Sequence, residues 1–148
     1  SSEDGFRISL RIEDYKWGSN MIVMDNAMLL LFAGSLLKNE AYETCALEHL
    51  HYLMGRNGLD ISFVTGYGDR SYRNPHYRPA ITDGIDDPTP GFVSGGPNRN
   101  LQDPVAKEHL QGRAPALAFI DHIDSYSTNE VTIYWNSPAV FVVSRWVQ

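Results

Sequence analysis

The sequence holds a single cysteine, Cys45, so no internal disulfide framework braces it, and cysteine usage leaves its compartment open. Cationic residues are scarce: 12 Lys and Arg stand against 18 Asp and Glu, a net charge of −6. That balance excludes a nucleic-acid binder, because neutralising phosphates takes clustered basic side chains. A neutral partner fits better. No stretch approaches the ~18 uninterrupted apolar residues of a membrane span. The opening residues, SSEDGFRISL, have neither the basic head nor the apolar run of a signal peptide, so any targeting segment would lie upstream or have been removed. Repeats and low-complexity tracts are missing, and GYGDRS lacks the third glycine of a dinucleotide fingerprint.

What remains is a globular composition, 43% apolar and 20% charged, in 148 residues, the size of one ordinary domain. SNMIVMDNAMLLLFAGSLLKN predicts a buried helix from about Met21 to Lys38, capped by Ser19 or Asn20 and apolar nearly all round. EAYETCALEHLHYLMG predicts a second helix, antiparallel across a very short turn, with Cys45 on its apolar stripe and Gly55 as its stop. The next 46 residues, Gly55 to Asn100, carry 8 of the 12 glycines, 5 of the 8 prolines, five arginines and no lysine. A loop of that length inside a compact domain is itself a sign of a binding surface. Within it, ISFVTGYG suits a short strand. DPVAKEHL reads as a brief helix with Asp103 as N-cap and Pro104 in first position, and SPAVFVVSRWVQ repeats the device with Ser137 and Pro138, burying Trp146 near its end.

Two spaced patterns carry chemistry. The first, SFVTGYGDRSYRNPHYR, sets Ser62, Thr65, Gly68 and Arg70 ahead of Pro75, His76 and Arg78. The second, FIDHIDSYSTNEVTIYWNS, sets Asp121, Tyr126, Glu130, Thr132 and Asn136. Both resemble, position for position, the signature segments of glycoside hydrolase family 9, the cellulases and related β-1,4-glucanases. YKWGSN, HYLMGRNGLD, PGFVSGGPN and NEVTIYWNSP resemble further segments from the last third of that catalytic domain, so the likeness runs from Tyr15 to Trp146.

The resemblance implies an all-α fold, part of an (α/α)6 barrel with long irregular loops and left incomplete by this length of chain. Residues 1–148 would be the C-terminal portion of the catalytic domain. The family's general base sits in an Asp-Ala-Gly-Asp segment that has no counterpart here. Asp121 and Asp124, or Asp83 and Asp86, share its spacing without its context. By resemblance Glu130 is the general acid of an inverting glycosidase, which protonates the departing oxygen while a carboxylate across the sugar activates water. Asp121 and His76 join it as catalytic candidates, with Arg78, Trp17, Trp135 and Tyr126 as sugar-binding candidates. For Asp121 the alternative is that it only orients its neighbours.

The residues alone offer a plainer account of Glu130: Ser127-Thr128-Asn129-Glu130 fits the capping box, in which the glutamate answers a helix start. A helix N-terminus favours the anion, whereas a proton donor must keep its proton, so nearby Tyr126, Tyr134, Trp135 and Asp121 would have to prevail. Cys45 and His49 lie four apart on one helix face, two ligands and too few for zinc. Asp83, Asp86 and Asp87 crowd a loop with oxygen donors that would suit a structural calcium. The chemistry itself requires no cofactor. Expected partners are a β-1,4-glucan or cello-oligosaccharide, the N-terminal portion of the same catalytic domain, and another copy through an exposed apolar flank; no nucleic acid and no membrane are expected. Extracellular location follows from the resemblance. Two other readings stand beside the enzyme: a glucan-binding module without turnover, and a structural fragment that docks on a partner chain.

Overall fold

The computed structural model describes residues 5–82 and 84–147. Among them, the regular structure is helical: α1 (Ser19–Leu37), α2 (Glu40–Leu53), α3 (Arg78–Ile81), α4 (Pro104–Leu110), α5 (Tyr126–Asn129) and α6 (Ile133–Ser144). Neither Ser19 nor Asn20 caps α1. Gly18 does so in the left-handed region at φ +83°, and both expected caps are buried and turned toward the loop. Ser19 Oγ donates to the Pro97 carbonyl at 2.8 Å, and Asn20 Nδ2 to the Ser94 carbonyl at 3.0 Å. At its far end, Lys38 adopts φ +51° and Asn39 accepts from the Ala41 N–H at 3.0 Å. Two residues thus reverse the chain into α2. A Cβ on Gly34 would lie 3.2 Å from that of Tyr42, which shows how closely this corner is drawn in.

The core lies between α1, α2, α6 and the long loop. Val23, Met24, Ala27 and Leu31 form the inner face of α1, against Ala46, Tyr52 and Leu53 of α2 and Ala139 and Val142 of α6. Cys45 is exposed, contrary to its expected place on the stripe, which lies one position on and is marked by Ala46, His49 and Leu53. The other side of α1 is bare: Leu29, Phe32, Leu36 and Leu37 are exposed, as are Val140 and Phe141 of α6. By length and composition alone α1 is long and apolar enough to cross a bilayer (mean hydropathy 1.6), although polar residues interrupt its apolar run. Its packed inner face is that of a core helix.

The last helix starts five residues earlier than Pro138 suggests. Thr132 is its N-cap, and Asn136 fastens the opening turn by donating through Nδ2 to the Thr132 carbonyl at 2.8 Å while Oδ1 accepts from the Val93 N–H at 3.1 Å. The proline therefore falls within the second turn, on the buried side. Trp146 is 36% exposed rather than core, because α6 ends at Ser144 and releases it.

The long loop is irregular but pinned. Phe63 is fully buried between Tyr52 (6.0 Å between ring centres) and Phe119 (5.1 Å). The expected strand in ISFVTGYG reduces to isolated bridges, Ser62 with Ser71 and Val64 with Val93, because Gly66 and Gly68 turn the backbone at φ +74° and +86°.

Candidate active site

Three distant stretches of sequence meet at Glu130. The turn before α1 brings Trp17, the long loop brings His76, and α5 brings Tyr126 and ends at Glu130 itself. The loop meets the site as a one-residue parallel bridge between His76 and Glu130, with the His76 N–H donating to the Asn129 carbonyl at 2.9 Å. Gly95 N–H donates to the Glu130 carbonyl at 3.1 Å and Gly96 N–H to that of Thr128 at 3.0 Å, so a second loop segment holds the other side. Gly96 sits at φ +91°, and a Cβ there would come within 2.5–2.7 Å of the Asn20 amide. Only glycine passes this crossing without displacement.

The capping-box alternative fails on this geometry. Glu130 follows α5 instead of opening a helix, Ser127 lies inside α5, and the Glu130 carboxylate is taken up elsewhere. Its Oε2 accepts from the Trp17 indole N–H at 3.0 Å. The Tyr126 ring lies 5.5 Å from that of Trp17 and 6.0 Å from that of His76, which completes a half-buried aromatic wall beside the carboxylate. His76 Nδ1 faces the Ile123 carbonyl at 2.6 Å. Because a carbonyl only accepts, Nδ1 bears the hydrogen, and the neutral ring keeps Nε2 as an acceptor.

Asp121 stands behind this wall. Its Oδ2 and Oδ1 accept from the backbone N–H groups of Arg73 and Asn74, each at 2.8 Å. Both oxygens are thus committed to holding the segment that leads to His76 and Arg78. Arg78 opens α3 and is exposed. Trp135, a sugar-platform candidate, is only 6% exposed: it is packed between Gly18, where a Cβ would meet its Nε1 at 2.9 Å, and Gly95. It supports the site from beneath and offers no face to a sugar. Of the residues expected to shelter the carboxylate, Tyr134 is 76% exposed, whereas Tyr126 packs on the Trp17 ring that donates to it.

The residue that sequence reasoning placed only as a cap, Asp103, proves central. Fully buried, it accepts from Ala106 N–H at 2.6 Å, Ser127 N–H at 3.0 Å, Ser125 Oγ at 3.1 Å and Ser127 Oγ. Burial alone would raise its carboxyl, but the donors from Ser127, Ala106 and Ser125 outweigh it and hold it below the ordinary value. The SxS spacing of Ser125 and Ser127 was the available signal. Tyr72, fully buried and donating to the Phe92 carbonyl at 3.1 Å, has its phenol pushed up by burial and by the charge of Asp121, so it stays protonated.

The metal readings resolve differently. His49 is buried, its Nδ1 donating to the Cys45 carbonyl at 2.7 Å and its Nε2 accepting from Ser9 N–H at 3.1 Å, so both ring nitrogens are engaged in the protein. Of the calcium candidates, Asp83 lies outside the described residues, Asp86 and Asp87 are exposed, and Asp87 pairs with Arg73 at 2.5 Å. Among the described residues no three His, Cys, Asp or Glu side chains group as metal ligands.

Helices joined by long loops, with a carboxylate held among aromatic and imidazole groups, define a helical protein with a candidate carboxylate site. The chain belongs to glycosyl hydrolase family 9, whose pattern matches residues 2–143. It is 45% identical over 146 residues to a cellodextrinase from Butyrivibrio fibrisolvens, covering 97% of this chain and 26% of that protein. A thermostable endoglucanase from Alicyclobacillus acidocaldarius, solved as a single mutant, superposes with TM-score 0.90 at 49% identity over 95% of this chain and 27% of that one. The family 9 endoglucanase J30 gives TM-score 0.94 at 39% identity over 99% of this chain and 27% of its own. The fold is accordingly part of an (α/α)6 barrel, and the chain spans about a quarter of the length of these relatives.

Proposed function

We propose that these residues are the acid-bearing, C-terminal portion of the catalytic domain of a secreted, inverting β-1,4-glucanase acting on cellulose or cello-oligosaccharides. Glu130 is the general acid. It gives its proton to the glycosidic oxygen as the bond from that oxygen to C1 breaks and its electron pair stays with the departing sugar. A carboxylate from the rest of the domain takes a proton from the water whose oxygen forms the new bond to C1 on the opposite face. His76 Nε2 and the Arg78 guanidinium meet sugar hydroxyls, Tyr126 shapes the wall, and Asp121 keeps the His76 segment in register. The observation that carries this reading is the convergence of Trp17, His76 and Tyr126, from three separate stretches, around the Glu130 carboxylate.

The bare outer faces of α1 and α6 support the second part of the proposal, that the N-terminal portion of the domain covers them. A run of Leu29, Phe32, Leu36, Val140 and Phe141 in water is an apolar patch of the kind that marks an interface. Without the base-bearing portion the chain binds glucan weakly and turns none over. The test is Glu130→Gln in the complete catalytic domain: hydrolysis of cellotetraose should fall by about 100- to 10,000-fold while its binding persists. Unchanged turnover would refute the assignment of Glu130. Binding without turnover in the unaltered complete domain would favour the glucan-binding module instead.

A further inference from the structure

We infer that Trp17 is a positioning residue for Glu130: its indole N–H fixes Oε2 as the accepting oxygen and leaves Oε1 as the one that carries the proton to the substrate. The inference rests on the acid role proposed for Glu130. Trp17 would otherwise be taken as a sugar platform, being 39% exposed beside the site. Its contacts point elsewhere. The indole Nε1 lies 3.0 Å from Glu130 Oε2, and the ring leans on Tyr126 at 5.5 Å with 40° between the planes.

The chemistry follows from the donor inventory. An indole nitrogen donates and never accepts. The carbonyl oxygen of a neutral carboxyl is a stronger acceptor than its hydroxyl oxygen, so in the acid form the indole favours Oε2 as the carbonyl oxygen and Oε1 as the seat of the proton. In the anion the same donor remains satisfied. A free carboxyl group exchanges its two oxygens by rotation about one soft bond. This contact biases that choice before substrate arrives, which is preorganisation of the kind that raises proton-transfer rates.

The support behind Trp17 is rigid enough for the task. The next residue, Gly18, stands at φ +83°, where a Cβ would come 2.9 Å from Trp135 Nε1. Ser19 and Asn20 then tie the start of α1 to the Ser94–Pro97 segment. That segment in turn holds the Glu130 backbone through Gly95. Donor and acceptor are therefore mounted on one hydrogen-bonded frame.

Trp17→Phe in the complete catalytic domain tests this with aryl β-cellobiosides of graded leaving-group ability. A dinitrophenolate departs without protonation, whereas phenol and a sugar hydroxyl do not. The variant should lose about 10- to 100-fold in kcat on phenyl cellobioside and cellotetraose, and no more than about 3-fold on the dinitrophenyl substrate, with KM little changed. Equal losses on all substrates would mean a structural role, and a rise in KM on all of them would mean a sugar platform. Either result overturns the inference. Glu130→Gln serves as the control: no leaving-group dependence there would sink the acid assignment, while a steep dependence there with none in Trp17→Phe would sink the Trp17 role alone. A second measurement needs no folded variant of Trp17. In the unaltered chain the Trp17 indole proton resonance should move as a carboxyl group titrates, and Glu130→Gln should abolish the movement; a resonance that ignores pH overturns the contact.

Discussion

Asp103→Ala would remove the carboxylate on which the α5 turn hangs. The magnitude can be worked from its partners. The Ala106 N–H loses its helix cap, a loss typically worth about 1 kcal/mol. The Ser127 N–H and the hydroxyls of Ser125 and Ser127 are left without an acceptor inside fully buried residues, at about 1–3 kcal/mol for each donor that finds no new partner. Since the two hydroxyls can rotate toward other acceptors, the sum is on the order of 3–5 kcal/mol, a large share of an ordinary domain's 5–15. The expected fall in Tm is roughly 10 °C. Asp103→Asn should cost nearly as much, because an amide NH2 would face donors it cannot satisfy.

The pH dependence has a definite sign. The folded carboxyl lies below its ordinary value near 3.8, so its stabilising contribution is fully present above that value and is lost as pH falls through the folded one. Urea melts of the parent chain and the Ala variant at pH 7 and pH 3 check both points, and the gap between them should narrow at pH 3. A difference below about 0.5 kcal/mol at pH 7 would show that the α5 turn does not depend on this carboxylate.

Gly96→Ala should destabilise by about 2–4 kcal/mol in thermal melts, because the added Cβ meets the Asn20 amide at a backbone φ of +91°. Asp121→Ala in the complete domain should lower kcat/KM by about 10- to 100-fold in steady-state assays, since Arg73 and Asn74 lose the acceptor that registers the His76 segment. Asp25 carries a carboxyl raised above its ordinary value by burial, so ionisation costs the folded state as pH rises; Asp25→Asn should raise Tm at pH 7 and leave it unchanged near pH 3. The isolated chain should self-associate with rising concentration in sedimentation, through the bare faces of α1 and α6, and Phe32→Lys with Leu36→Lys should reduce it.

How far the sequence could be read depended on the kind of signal each element carries. α1 and α2 are legible from their apolar content and spacing, which are short-range signals, and α4 from its local cap, Asp103 ahead of Pro104. α6 begins ahead of the proline that marks its expected start because Asn136 secures the preceding turn through long-range and local side-chain bonds that no proline rule contains. Within the site, the resemblance brought out Glu130, His76 and Tyr126, which the structure brings together. Trp17 and Trp135 looked alike in sequence, and only the fold separates the one beside the carboxylate from the one beneath it. For Asp121 the sequence leaves both a part in the chemistry and a purely orienting role open, and the two backbone amides held by its oxygens support the orienting one.

The most direct test of the central claim is complementation. Cellopentaose hydrolysis would be followed with the isolated chain, with the base-bearing portion of the catalytic domain, and with the two mixed. Each part alone should be silent and the mixture active, while a mixture made with the Glu130→Gln chain should be at least about 100-fold slower. Equal turnover by the two mixtures would contradict the assignment of the acid to Glu130, and turnover by the isolated chain would contradict the requirement for a base from the rest of the domain.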